Sequence, residues 1–244
     1  MSLPNAVRYI LSVPTNRVLI VASALGYFFF TGVQTFAVVL LRHRFGVGQT
    51  AASGLIGLVA IGAVLGVLVG GRVADSRVRR GHISARVSVA AVCYLLAIAL
   101  LVPALITRLL IVALPLFFLG AGAVTAANPP LDAARLDVMP GRLWGRAEGV
   151  RTLLRQAATA LAPIAFGLLS DLLASGKGTG SALSGSGNSR GDLHDAFLVL
   201  LVPLAVSGLI LARGRKRFPR DVATAEAACA ARGTTASPAP TAVT

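Results

Sequence analysis

Apolar and polar positions do not alternate along this chain; long apolar runs are separated by short charged ones. The apolar segments fall at 18–41, 51–71, 85–105, 109–127, 153–173 and 195–212. Each approaches the roughly 20 residues that an α-helix needs to cross a hydrocarbon core. None shows the short period-two pattern of a lipid-facing strand. The pattern predicts an all-α membrane protein, a bundle of six transmembrane helices. Outside these runs, 3–11 reads as a short interfacial helix ending before Pro14, and 175–191 as a flexible Gly/Ser-rich outer loop. Past Arg220 the chain is rich in Ala, Thr and Pro and reads as disordered. The expected organisation is a segment at 1–17, a transmembrane domain at 18–212 and a tail at 213–244, basic and then disordered.

Composition removes the soluble alternative. Of 244 residues, 55% are hydrophobic and 13% charged, against about 25% charged in a soluble domain. A net charge of +14 raises the question of nucleic acid. The basic residues, however, sit between apolar runs and have no stacking aromatics among them, so they read as topology determinants. Of the 23 Lys and Arg, 18 lie in the N-terminus, the second-to-third and fourth-to-fifth connections and the tail. Arg42, Arg44, Arg108, Lys177 and Arg190 lie on the other side. That bias places both termini in the cytoplasm and the chain in the cell membrane as a multi-pass protein, with the lipid bilayer as its first partner. Cys93 in a span and Cys229 in the tail form no disulfide scaffold or thiolate metal site, and no cofactor is expected.

Residues 71–81 are a basic hinge between the second and third spans, with one acid, Asp75, four residues after Gly71. This stretch resembles the signature loop of the major facilitator superfamily, Gly-x-x-x-Asp-(Arg/Lys)-x-Gly-(Arg/Lys)-(Arg/Lys). Gly71, Asp75, Arg79 and Arg80 match, while Ser76 replaces the first base and Val78 the second glycine. Members carry the loop after their second span and a degraded copy after their eighth, so the partial match favours the second half. Arg146-Ala147-Glu148-Gly149, Ala162-Pro163 and Gly167-Leu168-Leu169-Ser170-Asp171 look like the loop and penultimate helix of such transporters. Asn128-Pro129-Pro130 through Asp171 is most similar to bacterial spinster-like members. The resemblance covers about 3–222. It implies a C-terminal half: one of two six-helix bundles, with the substrate site at the midplane between them.

The function so implied is transport of a small solute by alternating access, after pairing with a second six-helix bundle. A homodimeric transporter and a truncated or split-gene remnant without activity stay open, since Met1 falls where the family has its central linker. An enzyme is not expected. His43, His82 and His194 all fall in loops, and no metal-ligand spacing occurs. None of the nine acidic residues lies mid-span, so a proton relay has no candidate in this chain.

Candidate site residues follow the helical period. Ser23, Tyr27, Thr31 and Gln34 share an arc of about 80° on the first span. The resemblance makes this stripe substrate-facing; hydrogen bonding between helices is the equal alternative. Thr125 and Asn128 on the fourth span are further cavity candidates, Phe117 and Phe118 could form an apolar wall, and Asp132 after the proline pair reads as solvated loop. Gly62, Gly66 and Gly70 form a small-residue seam, read as docking to the other half or as internal packing. Asp75 at its end would be a gating residue or a helix cap, with Gly71, Arg79 and Arg80 completing the signature loop. Arg155 could bind an anion or snorkel to the cytoplasmic interface.

Overall fold

The computed structural model describes residues 12–138, 144–176 and 189–233. Helix α1 (Pro14–Phe45) opens on a proline, whose missing N–H is harmless in a first turn, and closes on Gly46 at φ 68°. Then follow α2 (Gln49–Arg79), α3 (Ala85–Ile106), α4 (Leu110–Ala126), α5 (Asn128–Asp137), α6 (Trp144–Gly176), α7 (Ser189–Gly214) and α8 (Phe218–Gly233). Six spans are long and apolar enough to cross a membrane, with α4 and α5 counting as one. The break between those two is made by Pro129 and Pro130, which supply no N–H to continue the α4 ladder and instead occupy the first turn of α5.

Within the bundle α2 lies along α4, α3 between α4 and α7, and α1 against α6 and α7. Stacked Phe36 and Phe166, with centroids 4.1 Å apart, and the edge-to-face pair Phe166–Phe197 tie α1, α6 and α7 together. Tyr94 of α3 is buried against Gly26, where a Cβ would strike the phenol, so α1 needs glycine there for close approach. Large apolar side chains such as Ile61, Val64, Leu68 and Leu161 stay exposed, as they do on a surface solvated by lipid.

Several expectations are corrected. The helix of the second span does not stop at Gly71 but runs to Arg79, because apolarity ends before backbone hydrogen bonding does. Most of the signature stretch is therefore helical, and the chain turns at Gly81, φ 86°. The fourth span continues through α5 to Asp137. The tail is not disordered over 218–233: α8 anchors by Phe218, wholly buried beside Val222 one turn on. Asp221 in its first turn accepts a 3.1 Å hydrogen bond from the Thr15 N–H, so one carboxylate faces the N-termini of both α8 and α1. Residues 175–176 close α6 and 189–191 open α7, whereas 177–188 of the expected outer loop lie outside the described residues. The helix expected at 3–11 and the tail beyond Gly233 also lie outside them.

Candidate solute-binding face

The start of α1, the turn between α2 and α3, the end of α5, the start of α6 and helix α8 share one end, rich in arginine. From that end α1 and α6 present polar residues on adjoining faces. Ser23 is buried inside the bundle, Tyr27 and Thr31 are half-buried, and Gln34 is exposed. The α1 stripe thus passes from interior to open surface, and the four residues do not meet at one point. Across from it, α6 carries Arg155 and Thr159, half-exposed, and Gln156, exposed.

Arg155 lies two residues into the expected 153–173 span. Its guanidinium rests over the Tyr27 ring, 4.7 Å from the centroid, a cation–π contact worth about 0.5–2 kcal/mol.

Beyond Tyr27, away from the arginine-rich end, a cavity of about 150 Å³ opens between α1, α2, α3, α4 and α7. Phe29, Ile56, Leu105, Leu114, Phe117 and Phe197 line it, and Gln34 is its single polar wall residue. The cavity is apolar with one amide to orient a ligand. Phe118, paired with Phe117 in the sequence reading, instead packs on Gly62.

Thr125 leaves the cavity set. It is buried, and its hydroxyl donates at 2.6 Å to the Ala63 carbonyl of α2, besides contacting carbonyls of its own helix. Beside it, Gly62, Gly66 and Gly70 meet Phe118, Gly122 and Ala126 in strict register, every four residues on two parallel helices. A Cβ at Gly66 or Gly70 would overlap the backbone of α4. The seam is filled by this same bundle, which corrects the expectation that it docks another half. Asn128 is half-buried at the start of α5.

At the arginine-rich end, Asp132 is not a loop residue. It lies on α5 and pairs with Arg135 and with Arg151 of α6, while Glu148 pairs with Arg135 at 3.0 Å and Arg151 at 2.8 Å. The guanidiniums are buried and the carboxylates half-exposed. Two acids and two bases cancel. Nearby, Arg86 of α3 pairs with Asp137 of α5. These pairs escaped the sequence reading, although Asp132–Arg135 and Glu148–Arg151 both show the i, i+3 spacing that brings side chains together on a helix. Asp75, Arg79 and Arg80 are exposed, Gly71 half-buried, and Asp75 makes no ion pair among the described residues. At the opposite end, Arg44 donates to the Ile106 and Thr107 carbonyls and caps α3, a structural use for one of the five outer cations.

These features define a multi-pass helical membrane protein with a polar face and an apolar cavity inside one six-helix bundle. Residues 2–163 match the Major Facilitator Superfamily, and the chain belongs to that superfamily of membrane transport proteins. Two solved structures of a bacterial homologue of the human lysosomal transporter Spinster are similar in fold. One, inward-facing and unoccupied, is 19% identical with a TM-score of 0.71 over 89% of this chain. The other, inward-facing and occupied, is 18% identical with a TM-score of 0.70 over 85%. In both the match covers 50% of the homologue, so this chain spans about half the length of the structures it resembles. No curated protein matches.

Proposed function

We propose that this chain moves a small solute across the cell membrane by alternating access, working as the C-terminal half of a transporter with a second six-helix bundle. Superfamily membership carries the reading, together with a polar α1–α6 face left open to whatever faces it. The degraded signature stretch supports the C-terminal assignment: the turning glycine is Gly81, three positions after Val78 takes the motif's glycine place. The arginine bias supports cytoplasmic termini. Exposed Asp75, at the end of α2, is positioned to make and break contacts with a second bundle as the two rock, which gives it a gating role.

The test is reconstitution of the purified chain into liposomes, alone and with candidate six-helix partners, followed by uptake of a panel of solutes. Saturable uptake that needs a partner supports the half-transporter. Uptake by the chain alone, with a dimeric mass in detergent, points to a homodimer. No uptake under any pairing sinks the transport reading.

A further inference from the structure

We infer that Arg155 and Tyr27 form an oxyanion-binding site, and that the transported solute is an organic anion carrying a carboxylate or phosphate. The inference rests on the transport reading for its second half only.

Position is the first ground. At 100° per residue, Arg151, Arg155, Ala162 and Phe166 share an arc of about 60° on α6. Arg151, Ala162 and Phe166 are buried, so Arg155 belongs to the inward face of the helix, toward α1. Yet it is half-exposed, because the polar α1–α6 face opens beside it. It does not point outward to lipid but toward α1, beside the open face.

Charge is the second. Asp132 and Glu148, at the arginine-rich end, are both taken by Arg135 and Arg151, which they already neutralise. Asp137 is held by Arg86, and Asp221 accepts from the first turn of α1. No carboxylate among the described residues pairs with Arg155. Among the described residues its partner is the neutral ring of Tyr27. That stacking covers one face of the guanidinium and leaves its edge, with the forked N–H donors, free to take an oxyanion side-on.

Surroundings are the third. Thr31 on α1 and Thr159 on α6, within about 40° of Tyr27 and Arg155 on their helices, are half-exposed and give neutral donors and acceptors beside the guanidinium. They can hydrate or orient a ligand without competing with it for the cation. Guanidinium fork, aromatic platform and neutral polar rim together suit an anion and repel a cation.

The experiment uses the full chain purified in detergent, at matched ionic strength, with benzoate, phenyl phosphate and the neutral isostere benzamide as probes. Thermal shift and equilibrium binding are both read. Either anion is expected to stabilise the wild-type protein well beyond benzamide. R155Q should weaken anion binding by about ten- to a hundredfold, the loss of a hydrogen bond to charge, while R155K keeps part of it and Y27L falls between. Equal stabilisation by benzamide, no response to either anion, or an R155Q that binds anions as the wild type does overturns the site. The wild-type comparison alone decides this even where a variant fails to fold. Uptake of the bound anion into liposomes separates the two readings. Anion binding lost in R155Q, with no uptake under any pairing with a six-helix partner, leaves the site standing and sinks transport. Uptake that R155Q leaves unchanged sinks the anion assignment and keeps transport.

Discussion

Gly66→Ala is the sharpest mechanical test of the bundle, because one methyl group must enter where a backbone already lies. The added carbon would overlap the Gly122 carbonyl of α4. Relieving that overlap to ordinary contact distance means separating α2 and α4 by about 1 Å or more. The Thr125–Ala63 hydrogen bond, 2.6 Å now, would then pass the limit for a useful bond. Overpacking of this kind costs about 1–3 kcal/mol, and a lost interhelical hydrogen bond in a membrane protein about 0.6 kcal/mol, at most about 1.7. Replacing glycine by alanine inside a helix returns about 0.5–1 kcal/mol. The net is a loss of roughly 1–3 kcal/mol.

Gly57→Ala provides the matched control, since a Cβ there meets nothing within 4 Å. It should gain the helix-propensity term of about 0.5–1 kcal/mol and nothing else. The two substitutions therefore differ in sign. At about 2–4 °C per kcal/mol for a chain of this size, Gly66→Ala should melt at least several degrees below Gly57→Ala. The assay is the fraction of monodisperse protein left on size exclusion after a heating series in detergent. A Gly66→Ala protein that melts at or above Gly57→Ala would refute the packed α2–α4 seam, and the docking surface once expected there would return.

Three other outcomes are expected. Asp221→Ala removes the acceptor of the Thr15 N–H, a cap worth about 0.5–2 kcal/mol, and should expose α8 to limited proteolysis while the spans stay intact; unchanged cleavage would mean Phe218 alone holds the tail. Asp75→Asn should lower uptake without lowering membrane insertion, and full uptake at equal expression removes its gating role. Gln34→Ala strips the cavity of its single polar wall residue and should change the apparent affinity for the transported solute; unchanged kinetics across the solute panel make the amide structural.

The apolar runs made the spans legible because a bilayer imposes a length on them. Their ends were not, since Arg72, Arg77 and Arg79 continue the helical hydrogen-bond ladder of α2 after its apolarity is spent. Tail helix α8 was missed for a related reason: its apolar residues are mostly alanine, too small to mark a docking face, and Phe218 and Val222 dock it beside the Asp221–Thr15 hydrogen bond. The spacing of Gly62, Gly66 and Gly70 announced a close approach without naming the helix that makes it. A one-dimensional period cannot choose among five neighbours. Tyr27 was read as part of a polar stripe, but nothing on α1 indicates that Arg155, over a hundred residues later, comes to rest on its ring.

The α2–α4 register also bears on how this bundle can move. Three glycines on α2 meet three positions of α4 spaced by one helical turn, and a Cβ at Gly71 would come within 3.6 Å of Pro129 of α5. Backbones in such contact have two options, staying in register or jumping a full turn, and small sliding is resisted by every rung at once. Pro130 leaves the Ala126 carbonyl without its helical donor, and that carbonyl faces Gly70, where a Cβ would overlap it. The ion cluster then joins α5 to α6 by side chains alone. Side-chain pairs can break and re-form where backbone contacts cannot. The glycine register ties α2 to α4 by backbone contact, whereas α6 meets α5 through ion pairs and α1 and α7 through side chains. Arg155 sits between those side-chain contacts of α6, where a bound anion would feel any rotation of α6 against α1.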